Sequence, residues 1–457
     1  MIQSKTTTGK SNTRKQVDMT EGKPLVQILR FCVPLLLGNI LQQLYNTVDS
    51  MVVGRFISSD ALAAVGTSGP VINLMIAIFM GLSAGTGILI SQAYGAKDFV
   101  LLQRIIHTIT VLTVAVGAAV SLLGIVLTPQ ILTWLATPPE VMDAARTYMT
   151  ITFLGILTLM LYNLINAVLQ GTGDSRSPFL ILLTCCCINI VLDLLFVIAF
   201  GWGVAGVAWA TMIAQGCSVL FGVIRVNSGD APFRLQLKLS GVDREIAASI
   251  CRLGIPAGMQ NGLTSIGNIL VQGVINSFGP VIMAANIAVI KVDSLCIMPI
   301  MTFGTAVTVY VGQNVGAGNH SRIREGVKVT LILSVVVSLV ISLILVLFGD
   351  IPLALFTREQ AVIQAGMDKF YRVAPFYFCI GVFGVLSGML RGQGHTIAPM
   401  LIGVATMFAG RVPVAFLLPR LIGANGIHWS LSVQWGLEAL IIVLYTFYMR
   451  RKSAPLS

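Results

Sequence analysis

Four carboxylic acids, Asp49, Asp193, Asp293 and Glu438, and two bases, Lys291 and Arg411, fall inside long apolar stretches of this 457-residue sequence. An ionisable group near the centre of a bilayer costs about 2.5–3.5 kcal/mol on insertion scales, so each of the six is a functional candidate. Both bases follow residue 250, so the two later acids can be neutralised within a charge network. Asp49 and Asp193 have no basic partner in any apolar stretch of the first half. They must be protonated, ion-bound or hydrated. Two carboxylates in one low-dielectric pocket repel each other when both are ionised, which favours holding a proton. A proton carrier can be built this way without a cofactor.

The neighbours of these acids are polar at helical spacing. Asn189 and Asp193 are four apart and share a helix face. Asn39, Gln42, Asn46 and Asp49 trace a polar stripe that lipid would not accept. Thr211 offers a hydroxyl, and Gln42, Asn46, Asn163 and Asn166 are expected to line a cavity. Lys291 and Asp293 are two apart, about 200° around a helix, so they are expected to pair with Arg411 and Glu438 across helices instead of with each other. Lys369 falls in a polar connector with Asp368 and Arg372. Pro34 removes a backbone donor and is expected to kink its helix. Tyr45, Tyr162, Trp209, Tyr377 and Trp435 are candidates for stacking on flat cations.

The elements that position these groups must be membrane helices. Hydrophobic residues make up 56% of the chain, charged residues only 10%, and mean hydropathy is +0.88; soluble domains carry about 25% charge. Twelve apolar stretches lie between residues 25 and 449, each able to supply the roughly 20 residues of one crossing. No run of short alternating segments points to a barrel. The net charge of +11 comes from Lys and Arg scattered through short connectors, which excludes a nucleic-acid surface. Counted by alternate sides, 21 of these lie with the termini and 6 opposite, so both termini are expected to be cytoplasmic. The eight cysteines lie in apolar stretches without metal spacing and read as packing residues. The first 24 residues are polar, lack a signal-peptide core and read as a disordered cytoplasmic tail.

The chain also repeats itself. Arg30, Pro34 and Asn46 recur as Arg252, Pro256 and Asn268 at an offset of 222; Gln92, Gly95 and Ala96 recur as Gln313, Gly316 and Ala317 at 221. Gly171, Gly173 and Pro178 recur as Gly392, Gly394 and Pro399, and Gly203, Gly206 and Trp209 as Gly423, Gly426 and Trp429. Six crossings per half keep the halves parallel, a transporter architecture with substrate handled near the midplane. The expected organisation is an N-terminal lobe over 25–224, a linker over 225–249, a C-terminal lobe over 250–449 and a tail over 450–457. The fold class is an all-α integral membrane protein of twelve transmembrane helices in two six-helix lobes.

The combination of Pro34, the run from Val48 to Gly54, Ala61 to Gly66, Ser91 to Ala96 and the echo from Val311 to Gly318 resembles the multidrug and toxic compound extrusion (MATE) family. The resemblance implies an antiporter of the bacterial plasma membrane that exports small organic, often cationic, compounds in exchange for protons or sodium ions. Beyond substrate, coupling cation and lipid, it calls for no partner, and a monomer is expected. It further implies that Asp49, Asn189, Asp193 and Thr211 match the cation site of DinF-like members. The second lobe has Val271, Gly410 and Val414 at the repeat positions of Asp49, Asn189 and Asp193, and lacks the acids of NorM-like members. A flippase for a lipid-linked precursor is the alternative. An enzyme is not expected, because no His-Glu metal spacing, Ser/Lys dyad or Gly-x-Ser-x-Gly turn is present.

Overall fold

The computed structural model describes residues 17–56, 59–135, 137–228, 233–235 and 241–453. Among them the regular elements are all helical. Twelve long segments follow in order: α1 (Pro24–Phe56), α2 (Ser59–Gly95), α3 (Phe99–Trp134), α4 (Pro139–Gly171), α5 (Arg176–Ala199), α6 (Gly203–Asn227), α7 (Arg244–Asn276), α8 (Pro280–Gly316), α9 (His320–Phe348), α10 (Gln360–Gly392), α11 (Ile397–Ile422) and α12 (Asn425–Ser453). Ten of them are long and apolar enough to cross a bilayer. The other two, α2 and α7, run for 37 and 33 residues and have the length to do so. On α9 the side chains of Ile332, Val336, Leu339, Leu343 and Leu347 are all exposed. Their spacing of three to four residues makes an apolar stripe that lipid, not water, would cover.

Helices α1–α6 pack into one lobe and α7–α12 into the other, and the lobes meet where α1 and α2 face α7 and α8. The α2–α7 contact is made by glycines. A Cβ on Gly81 would lie 2.5 Å from the backbone nitrogen of Gly258, and one on Gly85 would lie 2.6 Å from that of Gly254. Only residues without a side chain allow two helix backbones this close. Pro34 and Pro256 lie inside α1 and α7, which continue past them.

The sequence repeat has a structural purpose at the end of the bundle that carries the termini. Gln313 Nε2 donates to the Gly171 carbonyl at 3.0 Å, and its repeat mate Gln92 donates to the Gly392 carbonyl at 2.9 Å. Each glutamine thus crosses from its own lobe to the turn of the other. The turns themselves need Gly173 and Gly394, whose φ angles are +87° and +88°.

The N-terminal segment departs from the expected disorder. Met19 is fully buried, its N–H donates to Gln313 Oε1 at 3.1 Å, and its carbonyl accepts from Asn314 Nδ2 at 3.0 Å. The Val17 N–H donates to the Gly173 carbonyl at 3.3 Å. Residues 17–22 therefore strap both lobes together. Polarity alone gave no sign of this, because the partners are backbone groups, two amides and the Arg322 guanidinium, all distant in sequence. Residues 1–16 lie outside the described residues.

Candidate ion-coupling site

Asp49 lies in the last two turns of α1, Asn189 and Asp193 lie on α5, and Thr211 lies on α6. Since α1 packs on α5 and α5 on α6, the four side chains converge within the N-terminal lobe. With its NH₂ turned toward the carboxylates, Asn189 donates to Asp49 Oδ1 at 3.0 Å and to Asp193 Oδ2 at 3.1 Å. The remaining amide atom then faces the Thr211 hydroxyl at 3.4 Å. This orientation follows from the network, since carboxylates accept and an amide oxygen cannot donate to them. Asp49 and Asp193 are therefore close neighbours, bridged by one amide nitrogen. Among the described residues, no lysine or arginine acts on either group.

Local structure places Asp193 unusually. It is the last residue of regular α-helix before a π-helical turn, Leu194–Ala199. Such a turn adds a residue per hydrogen-bonded ring and re-aims the side chains beside it, and it recurs at functional sites. Asn189 and Asp193 are fully buried. Oδ1 of Asp193 is buried without a hydrogen-bond partner among the described residues.

Tyr45 joins the site, one turn before Asp49 on the same helix face and close to Asp49 and Thr211. The sequence marked Tyr45 for stacking on cations, yet its i, i+4 spacing to Asp49 already placed both on one face. Tyr45 lines a cavity together with Gln42, Tyr162, Leu182, Cys185 and Gln215, among others. Of the residues expected to line a cavity, Gln42 lines this one. Asn163 bonds back to the Leu159 carbonyl of its own helix at 2.9 Å, and Asn166 sits beside the Tyr162 hydroxyl. Asn46, within about 20° of Asn39 around α1, is exposed, and Asn39 donates to Thr302 of α8 at 3.2 Å. The polar stripe on α1 thus spans about 80°, from the Asn39 edge to the Asp49 edge.

The C-terminal lobe corrects the expected charge network. Lys291 is exposed and is absent from it. Its place is taken by Lys369, 6% exposed, which donates to Asn286 Oδ1 at 2.8 Å and acts on Asp293. Asp293 accepts from the Tyr377 hydroxyl. Its charged neighbours place Lys369 in a connector on sequence alone, but α10 already begins at Gln360 and carries it into the packed lobe. The expected cross-helix pairs of Lys291 and Asp293 with Arg411 and Glu438 are not among the direct ion pairs of the described residues. Arg411 Nη1 donates to Asn268 Oδ1 at 2.8 Å, whereas Glu438 Oε1 accepts from Gln434 at 2.8 Å and Thr406 at 3.2 Å. The direct ion pairs among the described residues, Arg104–Asp243, Arg225–Asp174 and Arg372–Asp368, all lie elsewhere.

The comparisons with known proteins agree with this architecture. The MatE family model matches twice, over residues 34–195 and 256–417, which is the 222-residue offset of the internal repeat. The probable multidrug resistance protein YpnP of Bacillus subtilis (strain 168) is 31% identical over 443 residues, covering 97% of this chain and 99% of the relative. The multidrug export protein MepA of Staphylococcus aureus (strain bovine RF122 / ET3-1) is 23% identical, with 93% of each chain covered. Among solved structures, the outward-facing conformation of a multidrug resistance MATE family transporter of the MOP superfamily superposes with a TM-score of 0.88 at 22% identity, covering 96% of this chain and 98% of the other. With a two-lobed helical membrane fold, both halves of the family model in place and a full-length relative above 30% identity, the chain belongs to the MATE family of multidrug transporters.

Proposed function

We propose that the chain is a secondary antiporter that exports small organic, often cationic, compounds by alternating access in exchange for protons, and that Asp49 and Asp193 are the coupling site. The observation that carries this reading is the meeting of two carboxylates in a pocket with no opposing base among the described residues. A proton held between them relieves their mutual repulsion and supplies the donor that Asp193 Oδ1 lacks. Loss of that proton leaves two negative charges beside the cavity of Gln42, Tyr45 and Tyr162. An organic cation then replaces the proton as their counter-charge. Asn189 donates to both carboxylates and holds them at a fixed separation, while Tyr45 and Thr211 supply further polar contacts.

In this placement of the acids the chain follows the DinF-like pattern, with Asp49, Asn189, Asp193 and Thr211 in the first lobe only. The plasma membrane, with both termini cytoplasmic, follows from the charge bias between alternate connectors. Flipping of a lipid-linked precursor calls for several cavity-facing bases against its phosphates. The family match and the multidrug relatives do not favour it.

The test is export of a fluorescent organic cation from vesicles under imposed gradients. Efflux driven by a pH gradient, indifferent to sodium and lost in Asp49→Asn with Asp193→Asn is the expected result. Efflux that follows the sodium gradient would instead assign the same oxygen cluster to sodium. Gradient-driven export that survives both substitutions would remove these residues from coupling.

A further inference from the structure

Two helices, α1 and α7, divide their packing between the lobes. The first turns of α1 are built into the C-terminal lobe, where Ile28, Phe31 and Cys32 share a buried core with Val307 and Tyr310 of α8 and Val327 of α9. Beyond Pro34 the same helix belongs to the N-terminal lobe. There Val48 and Val52 pack with Val197 and Val207, and Asp49 meets Asn189. α7 does the converse. Ile246 and Ile250 share a buried core with Ile106 of α3 and Leu164 of α4. Beyond Pro256, Gln260 accepts from Arg391 of α10 at 2.7 Å, and Val271 and Ile275 pack with Ala415 and Ile427. Ile28 and Ile250 stand at the 222-residue offset of the repeat, and each is fully buried in the core that the other half of the chain builds.

The chain leading into each of these half-helices is docked on the same foreign lobe. Val17 and Met19 join the C-terminal core, and Arg322 of α9 donates to the carbonyls of Met19, Glu21 and Gly22 at 3.3, 3.2 and 2.9 Å. On the other side Phe233 of the linker is buried in the N-terminal core. Gln103 of α3 clasps the backbone of Arg234, donating to its carbonyl at 2.9 Å and accepting from its N–H at 2.8 Å. Asn227 of α6 holds Leu235 in the same way, at 3.1 and 2.9 Å. At the start of α7, Asp243 pairs with Arg104 of α3.

Magnitudes decide which contacts part when the lobes move. Fully burying an Ile, Phe or Met side chain contributes about 1.5–3 kcal/mol, so withdrawing Met19, Ile28 and Phe31 from the C-terminal core is costly. The cross-lobe hydrogen bonds of Gln92, Gln313 and Val17 are worth about 1 kcal/mol each. They are the weaker seam. Pro34 and Pro256 stand where the two helices change lobe, and a proline withholds one ladder bond and lets a helix bend there.

We propose that the two moving bodies are not the contiguous halves of the chain. Residues 17–33 travel with the C-terminal lobe, and residues 233–235 and 241–255 travel with the N-terminal lobe. Opening at the end that carries the termini then takes place between α2 and α8, where Gln92 and Gln313 reach across, and between the strap and the Gly173 turn. The α2–α7 glycine contact stays closed throughout.

The test uses three cysteine pairs, each joined by a short cleavable bis-methanethiosulfonate, with ethidium efflux from proteoliposomes read before joining, after it and after dithiothreitol. The wild type treated alike is the control for its own cysteines. Arg104→Cys with Asp243→Cys ties the start of α7 to α3, and Glu21→Cys with Arg322→Cys ties the strap to α9. Both tethers lie within one body in the exchanged arrangement and across bodies in the contiguous one, and both are expected to leave efflux unchanged. Asp18→Cys with Tyr94→Cys ties the strap to α2, where Asp18 acts on Tyr94. That tether crosses the seam and is expected to abolish efflux until dithiothreitol cleaves it. Loss of efflux with either of the first two tethers, or full efflux with the third, would overturn the proposal.

Discussion

At the scale of single residues, the acid pair and its amide bridge make separable predictions. Asn189→Leu keeps the branched shape, at a larger volume, but removes the donor shared by Asp49 and Asp193. Gradient-driven export is expected to fall about tenfold, with a gel-filtration profile like that of the wild type. Lys369→Met leaves Asn286 Oδ1 without its donor and Asp293 without its counter-charge. A loss of about 3 kcal/mol in stability is expected, read as a fall in melting temperature that Asp293→Asn partly reverses. Both acids and Asn189 were legible in the sequence as isolated polar residues in apolar stretches, and the four-residue spacing of Asn189 and Asp193 fixed the face those two share. Which of two lysines enters the C-terminal lobe was not legible. That depends on where α10 begins and on the phase of α8 against α10, and neither is written in the spacing of the charges.

At the scale of helices, the lobe boundary is set by where glycine removes a side chain. A Cβ at Gly254 would lie 2.8 Å from the Gly81 carbonyl, whereas one at Gly262 on the same helix meets nothing within 4 Å. Alanine in a helix is favoured over glycine by about 1 kcal/mol, so Gly262→Ala should raise the melting temperature in detergent. Gly254→Ala should lower it, because overpacking costs about 1–3 kcal/mol. The start of α7 offers a pH-dependent counterpart. Asp243 caps it by accepting from the N–H groups of Glu245 and Ile246. These bonds and Arg104 hold its carboxyl below the usual carboxylate range. A lowered value means that the cap contributes fully above the ordinary range and is lost as pH falls through the lowered one. Asp243→Ala should therefore lower the melting temperature at neutral pH and make little difference in strong acid. Helix number and periodicity followed from apolar patterning. The π-helical turns after Asp193 and before Val412 did not, because neither the apolar run Leu194–Ala199 nor the mixed run Thr406–Arg411 differs in pattern from an α-helix.

At the scale of the whole molecule, the repeat in the sequence becomes a pair of cross-lobe locks at the end that carries the termini. Gln92 and Gln313 each hold the opposite turn, and residues 17–22 reinforce only the Gln313 side. Two hydrogen bonds of about 1 kcal/mol each can shift a two-state equilibrium more than tenfold. Gln92→Ala with Gln313→Ala is expected to add a longer-distance population between spin labels at Lys97 and His320, and an unchanged distribution would deny the glutamines this role. The repeat was visible in sequence, and so was its parallel sense. The one-sided strap was not, since it uses backbone groups of a polar segment. Release of the lock matters only if it is tied to the acid pair, and the central claim is that substrate and proton compete for that pair. Its most direct test is proton release, followed with a pH indicator as an organic cation is added to the detergent-solubilised protein in weak buffer. The wild type should release protons in proportion to cation bound, and Asp49→Asn with Asp193→Asn should release none. Undiminished release from that double variant would contradict the claim.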